Sequence, residues 1–259
     1  MVLPNPVPPR RFEAHLEVHA GSIDEDTDEQ GLAHLVEHVT FLGSKKREGL
    51  LGTGSRSNAY TDFHHTVFHI HSPLEGPLGQ PMLTLALEAL EEIAFKPRFL
   101  PQRIEKERRA VLAELQMMNT IEYRVDCQLL EQLHSENPLG NRFPIGKQEQ
   151  IVAWDHDKVR RYHAKHYFPA NTTLYVVGDV DAGECERMIH EAYGATPERP
   201  HKTLAAGASE DMQVEVPEKD RRSAAPPVVH FWTSGGAGVG PAGVPEAGVG
   251  GAPPAPPRP

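Results

Sequence analysis

Between Phe12 and Ala20 the chain alternates. Phe12, Ala14, Leu16, Val18 and Ala20 fall on one face, and Glu13, His15, Glu17 and His19 on the other. A period of two is that of a half-buried strand. After an acidic stretch from Asp24 to Glu29 the period changes: Leu32, Leu35, Val36, Val39 and Leu42 form one stripe of a helix closed by Gly43, and His34, Glu37 and His38 occupy its other side. Lys45 to Ser57 reads as a basic, Gly-rich loop, and Asn58 to His71, rich in Thr, Val, Phe and Ile, as a strand pair. Helices are predicted from Pro81 to Phe95, from Pro101 to Met118 and from Glu122 to His134, followed by a turn at Asn137-Pro138-Leu139-Gly140. Asp155 can cap a helix running to His166, Thr172 to Val177 is a short β-branched strand, and a last helix runs from Ala182 to Tyr193. Strands mixed with helices, with no regular βαβ repeat, predict an α+β fold: a mixed sheet with helices packed on it.

Beyond Pro197 the periodicity fades, with Val214 to Val216 and Val228 to Trp232 as isolated strand candidates. From Ser234 to Pro259 every residue except Ser234, Glu246 and Arg258 is Gly, Ala, Pro or Val, a composition with nothing to pack, so disorder is expected there.

Composition narrows the chemistry. A formal net charge of -10 excludes a nucleic-acid backbone as the main partner and favours a basic ligand. No apolar run is long enough to span a bilayer. Cys127 and Cys185 stand far apart, which leaves neither a disulfide framework nor a thiolate metal cluster, and both read as ordinary buried thiols. The 15 histidines are the compositional oddity, and imidazole is the commonest transition-metal ligand.

His34 and His38, spaced i, i+4, project from one helix face and can share an ion, while Glu37 lies beside them. This order, His-x-x-Glu-His, inverts the commoner zincin motif and leaves a carboxylate able to take a proton from a zinc-bound water. A catalytic zinc takes a third protein ligand. The helix from Pro101 to Met118 offers one: Glu107 and Glu114, seven apart, flank its apolar stripe of Ile104, Val111, Leu115 and Met118. Glu114 is the expected ligand and Glu107 an accessory acid. His64, His65, His69 and His71 form a rival cluster, better explained as exposed strand histidines.

These motifs, taken in order, resemble the M16 metallopeptidase family, which includes pitrilysin, insulinase and the processing peptidases. The resemblance runs from Phe12 to Ala192 and rests on Gly31-Leu-Ala-His-Leu-Val-Glu-His38, Asn58-Ala-Tyr-Thr61, Glu107-x6-Glu114, Pro144-Ile-Gly146 and Tyr167-x-Pro-x-Asn171 through Asp179. The stretches Arg11 to His19, Phe41 to Arg47 and Arg56 to His71 are similar to the plastid branch, whose members remove transit peptides from imported precursors. The resemblance implies an M16/LuxS-like metallohydrolase fold over 1–200, with the motifs in 12–118 and a family-like continuation over 140–192. An incomplete segment or linker follows over 201–233, then the Gly/Ala/Pro-rich tail over 234–259.

It further implies one Zn2+ held by His34, His38 and Glu114, with Glu37 as base and Glu107 as accessory acid. Asn58 and Ala59 would lie at the strand edge that receives substrate. The expected substrate is a basic transit peptide, and the expected location the chloroplast stroma. Complete members continue into further homologous domains, so this chain reads as an N-terminal fragment that needs a second half or a partner subunit. A non-catalytic module that binds presequences or a partner is the rival reading. A thioether lyase would require a Cys as third ligand.

Overall fold

The computed structural model describes residues 1–197. Its strands are β1 (Val2–Pro4), β2 (Arg11–Val18), β3 (Arg56–Thr61), β4 (Thr66–Pro73) and β5 (Thr172–Gly178), joined in one sheet in the order β1-β5-β2-β4-β3. β2 is antiparallel to both β4 and β5, and β1 is parallel to β5, so the sheet is mixed. The α+β expectation holds. In β2, Phe12, Ala14, Leu16 and Val18 are buried, while Glu13, His15 and Glu17 reach the other face. Because side chains alternate, a one-residue slip in pairing would turn this whole set over, and burial therefore fixes the register.

The helices are α1 (Leu32–Gly43), α2 (Lys45–Glu48), α3 (Met82–Phe95), α4 (Pro101–Met118), α5 (Ile121–Leu133), α6 (Gln148–Ala153), α7 (His156–His166) and α8 (Ala182–Tyr193). α1 and α3 pack on the strands, α8 on α3 and β1, and α4 and α7 against α1. α1 is thus the centre of the molecule, and every residue from Leu32 to Phe41 is buried. Its apolar stripe meets the sheet side, and its polar side is covered as well. Among the described residues no helix is long and apolar enough to cross a membrane.

The first turn of α1 leaves N–H groups that the helix cannot satisfy itself. They are met from six residues upstream: the buried Glu25 carboxylate accepts from Gly31 N at 3.0 Å and from Ala33 N at 2.9 Å. Gly31, at φ +98°, sits back to back with Gly146, at φ +77°. A Cβ on Gly31 would lie 2.9 Å from Gly146 Cα, and one on Gly146 would lie 2.6 Å from Gly31 N, so neither position admits a side chain. α4 is fixed at its middle. The buried Arg108 guanidinium donates to the carbonyls of Ile151 (2.8 Å), Val152 (3.1 Å) and Trp154 (2.6 Å) at the end of α6.

Three elements lie outside the sequence expectation. α2 interrupts the expected loop because Ser44 accepts from Arg47 N as an N-cap while Glu92 accepts from Ser44 Oγ and Lys46 N. α6 is a six-residue helix held by Arg108, and β1 is three residues long, too short for either to carry a periodic signal. Cys185 is buried as expected, but Cys127 is only partly so, because α5 buries none of its residues. The candidate strands Val214 to Val216 and Val228 to Trp232, the segment 201–233 and the tail 234–259 lie outside the described residues.

Two outcomes are expected. Glu25→Ala strips two N–H groups of their acceptor and should lower stability by about 1–3 kcal/mol, seen as a lower urea midpoint at unchanged slope; an unaltered midpoint would remove the carboxylate as the cap of α1. The second concerns His163, buried in α7, whose Nε2 bonds Ala94 O at 2.8 Å. Burial pushes its pKa down from 6.5 to about 4 against that hydrogen bond. The unfolded chain therefore takes up a proton there before the folded one does, and stability should fall as pH drops from about 6.5 to about 4, by on the order of 3 kcal/mol. In His163→Gln that part of the pH slope should vanish.

Candidate metal centre

α1 presents His34 and His38 one turn apart with their rings edge to face, centroids 4.6 Å apart. α4 packs across this side of α1 and brings Glu107 and Glu114 from two turns of one helix face. A single oxygen of Glu114 lies 3.5 Å from His34 Nε2 and 3.6 Å from His38 Nε2. Ligands about 2.0–2.1 Å from a tetrahedral ion are separated by roughly 3.3–3.4 Å, so both spacings are close to those of ligands sharing one ion. The donor atoms of His34, Glu37 and His38 all lie within 4.8 Å of one another. Glu37 Oε2 is 3.9 Å from His34 Nε2, which makes Glu114 the nearer carboxylate.

Behind this set, Glu107 Oε2 lies 3.8 Å from His38 Nδ1, an ion-pair distance longer than a hydrogen bond, and Glu107 Oε1 accepts from Arg103 Nη1 at 3.2 Å. His34, Glu37, His38 and Glu107 are buried; the Glu114 side chain, 23% exposed, is where the cluster meets solvent.

The residues fit a divalent cation on two grounds. His38 Nε2, which faces Glu114, and Glu37 Oε2 beside it are buried without a hydrogen-bond partner, and each such atom ordinarily costs about 1–3 kcal/mol. Three carboxylates, Glu37, Glu107 and Glu114, also gather around the two imidazoles, and among the described residues only Glu107 of the three pairs with a guanidinium, that of Arg103, a negative excess that burial penalises unless a positive charge joins it.

The ionisation pattern follows this crowding. Burial pushes Glu37 up to about 7, with Glu114 adding to the rise and His38 opposing it. Burial also raises Glu114. Glu107 is buried too, yet His38 and Arg103 outweigh that and leave it below the usual carboxylate range. Burial, then the neighbouring His38, drives His34 well down, whereas the three carboxylates overcome burial and lift His38.

Of the residues singled out from sequence, the structure gathers His34, Glu37, His38, Glu107 and Glu114. Asn58 and Ala59 stand on β3, an edge strand of the sheet, opposite His69 and Phe68 of β4, and α1 packs against β3. The rival histidine group is dispersed: His64 and His65 lie in the turn after β3 with their N–H groups on Asp62 Oδ1, whereas His69 and His71 lie on β4. Sequence reasoning missed Arg103, although its i, i+4 spacing to Glu107 was a readable signal. It missed Glu25 and Arg108, whose backbone partners carry no mark in the sequence.

The family model described as Insulinase (Peptidase family M16) matches residues 1–143, and that described as Peptidase M16 inactive domain matches residues 153–229. The chain belongs to the M16 peptidase family. It is 53% identical over 271 residues to the chloroplastic stromal processing peptidase of Arabidopsis thaliana, covering 92% of this chain and 21% of that protein. It is 31% identical over 202 residues to the probable zinc protease PqqL of Haemophilus influenzae, covering 73% and 21%. The crystal structure of the periplasmic protease PqqL from Escherichia coli matches with a TM-score of 0.70 at 25% identity, over 77% of this chain and 23% of that one. The chain thus spans about a fifth of the length of these relatives.

If Glu107 holds the His38 ring for a ligated metal, Glu107→Gln should weaken zinc binding by about 10- to 100-fold while leaving the fold intact. Competition with a chromophoric chelator reads this directly, and wild-type affinity would show that the carboxylate does not serve His38.

Proposed function

We propose that this chain forms the metal-binding part of a zinc-dependent metalloendopeptidase in which His34, His38 and Glu114 hold one zinc ion. Glu37 is the general base, Glu107 the accessory acid, and the substrate a basic transit peptide of an imported plastid precursor. The observation that carries the reading is the single Glu114 oxygen 3.5 Å and 3.6 Å from the two imidazole nitrogens of α1.

Zinc bound there would polarise the scissile carbonyl and bring the pKa of a water toward about 7. Glu37, buried beside the ligands, accepts a proton from the attacking water and delivers it to the leaving amine nitrogen. Glu107, held by Arg103, lies at ion-pair distance from His38 Nδ1 and favours the ring orientation in which Nε2 faces Glu114. β3, last in the sheet order of the described residues, carries Asn58 and Ala59, and on this reading the substrate backbone adds beside them as an extra strand.

The substrate class is supported by the likeness to stromal processing peptidases, which also supports a stromal location, and by the net charge of -10, which complements a peptide rich in bases and poor in acids. The chain spans about a fifth of the length of these relatives.

The test pairs zinc content with cleavage of a basic, acid-poor peptide. Glu37→Gln should keep zinc and lose turnover by about 100-fold or more, and His34→Ala should lose both. Cleavage by Glu37→Gln at the wild-type rate removes the proposed base. Zinc with peptide binding but no cleavage by the unaltered chain favours the presequence-binding module instead.

A further inference from the structure

The face of the sheet opposite the helices carries chemistry that the metal centre does not use. The register sets Glu13 against His71 and His15 against His69 across β2 and β4, so four side chains of two metal-ligating types, one Glu and three His, stand together on one face of a strand pair. The His15 and His69 rings stack with centroids 5.2 Å apart. Glu13 reaches both histidines beside it, with Oε2 3.3 Å from His15 Nε2 and Oε1 3.3 Å from His71 Nδ1. Arg11 Nε donates to His71 Nε2 at 3.0 Å. That bond makes Nε2 of His71 the acceptor and leaves its proton on Nδ1, facing Glu13. His71 is thereby committed to orienting the carboxylate, and it leaves Glu13, His15 and His69 as the three groups open to a metal.

We infer that Glu13, His15 and His69 form a second zinc site on the open sheet face, with His71 and Arg11 orienting Glu13 from behind. Two imidazoles and one carboxylate are a set that zinc accepts, with water completing the shell. Among the described residues only the α1 cluster has three donors already converged within 4.8 Å. The sheet site closes by side-chain rotation when the ion arrives, so it binds more weakly than the buried one. The half-exposed Glu13 leaves the site open to solvent and to the ion.

Equilibrium dialysis of the tag-free chain against zinc, read by mass spectrometry of the metal, tests this. The unaltered chain should hold two equivalents and His15→Gln/His69→Gln one. In a His34→Ala/His38→Ala background one equivalent should persist and then disappear when His15→Gln is added. His71→Gln should keep the second equivalent with about 10- to 100-fold weaker affinity. A single equivalent in the unaltered chain that vanishes with His34→Ala/His38→Ala overturns the inference, as does a second equivalent that survives His15→Gln/His69→Gln. The two sites are counted in separate backgrounds, so loss of either assignment leaves the other standing. Circular dichroism of each variant confirms that a missing equivalent reflects ligand loss rather than unfolding.

Discussion

The uncompensated negative charge between α1 and α4 is the constraint around which the molecule is arranged. Glu37, Glu107 and Glu114 converge on two imidazoles, with one guanidinium, that of Arg103, against Glu107, in a place from which water is largely excluded. Such a cluster is costly by itself, and a divalent cation turns the same repulsion into affinity. The consequences spread outward. Arg103 is drawn to Glu107, Glu107 to His38, and the polar side of α1, which in an ordinary amphipathic helix would face solvent, is held inside.

Holding a polar helix face inside demands that both helices be fixed independently of the ion. α1 is anchored at its start by Glu25 and by the glycine pair Gly31 and Gly146, where two backbones touch without intervening side chains. α4 is anchored at its middle by Arg108, which closes three carbonyls at the end of α6. These contacts lie outside the histidine and glutamate cluster, yet they set the spacing between Glu114 and the imidazoles. The cluster is thus pre-formed by packing, the arrangement that a catalytic metal centre would require of its supports.

The two faces of the sheet divide the chemistry. One face, filled with Phe12, Ala14, Leu16 and Val18, is the platform for α1 and hence for the buried centre. The other carries Glu13, His15, His69 and His71 and stays open among the described residues. One alternating strand therefore serves both, because successive side chains point to opposite sides.

Much of this was legible in the sequence for a physical reason. Period two over Phe12 to Ala20 and the apolar stripe of α1 are local signals, and the spacing of His34, Glu37 and His38 on a helix determines by itself that the two imidazoles share a face. The seven-residue spacing of Glu107 and Glu114 likewise puts both on one side of α4. Distance along the chain hid the rest. That Glu114, 76 residues after His38 in the numbering, lies against both imidazoles depends on how α4 crosses α1, which packing decides. The cap of α1 by Glu25, the hold of Arg108 on α6, and the pairing of His15 with His69 across β2 and β4 are contacts between residues whose local patterns carry no mark of their partners. Composition and spacing decided which groups could take part in the chemistry, and only the tertiary structure, by bringing distant segments into one excluded volume, decided which of them meet.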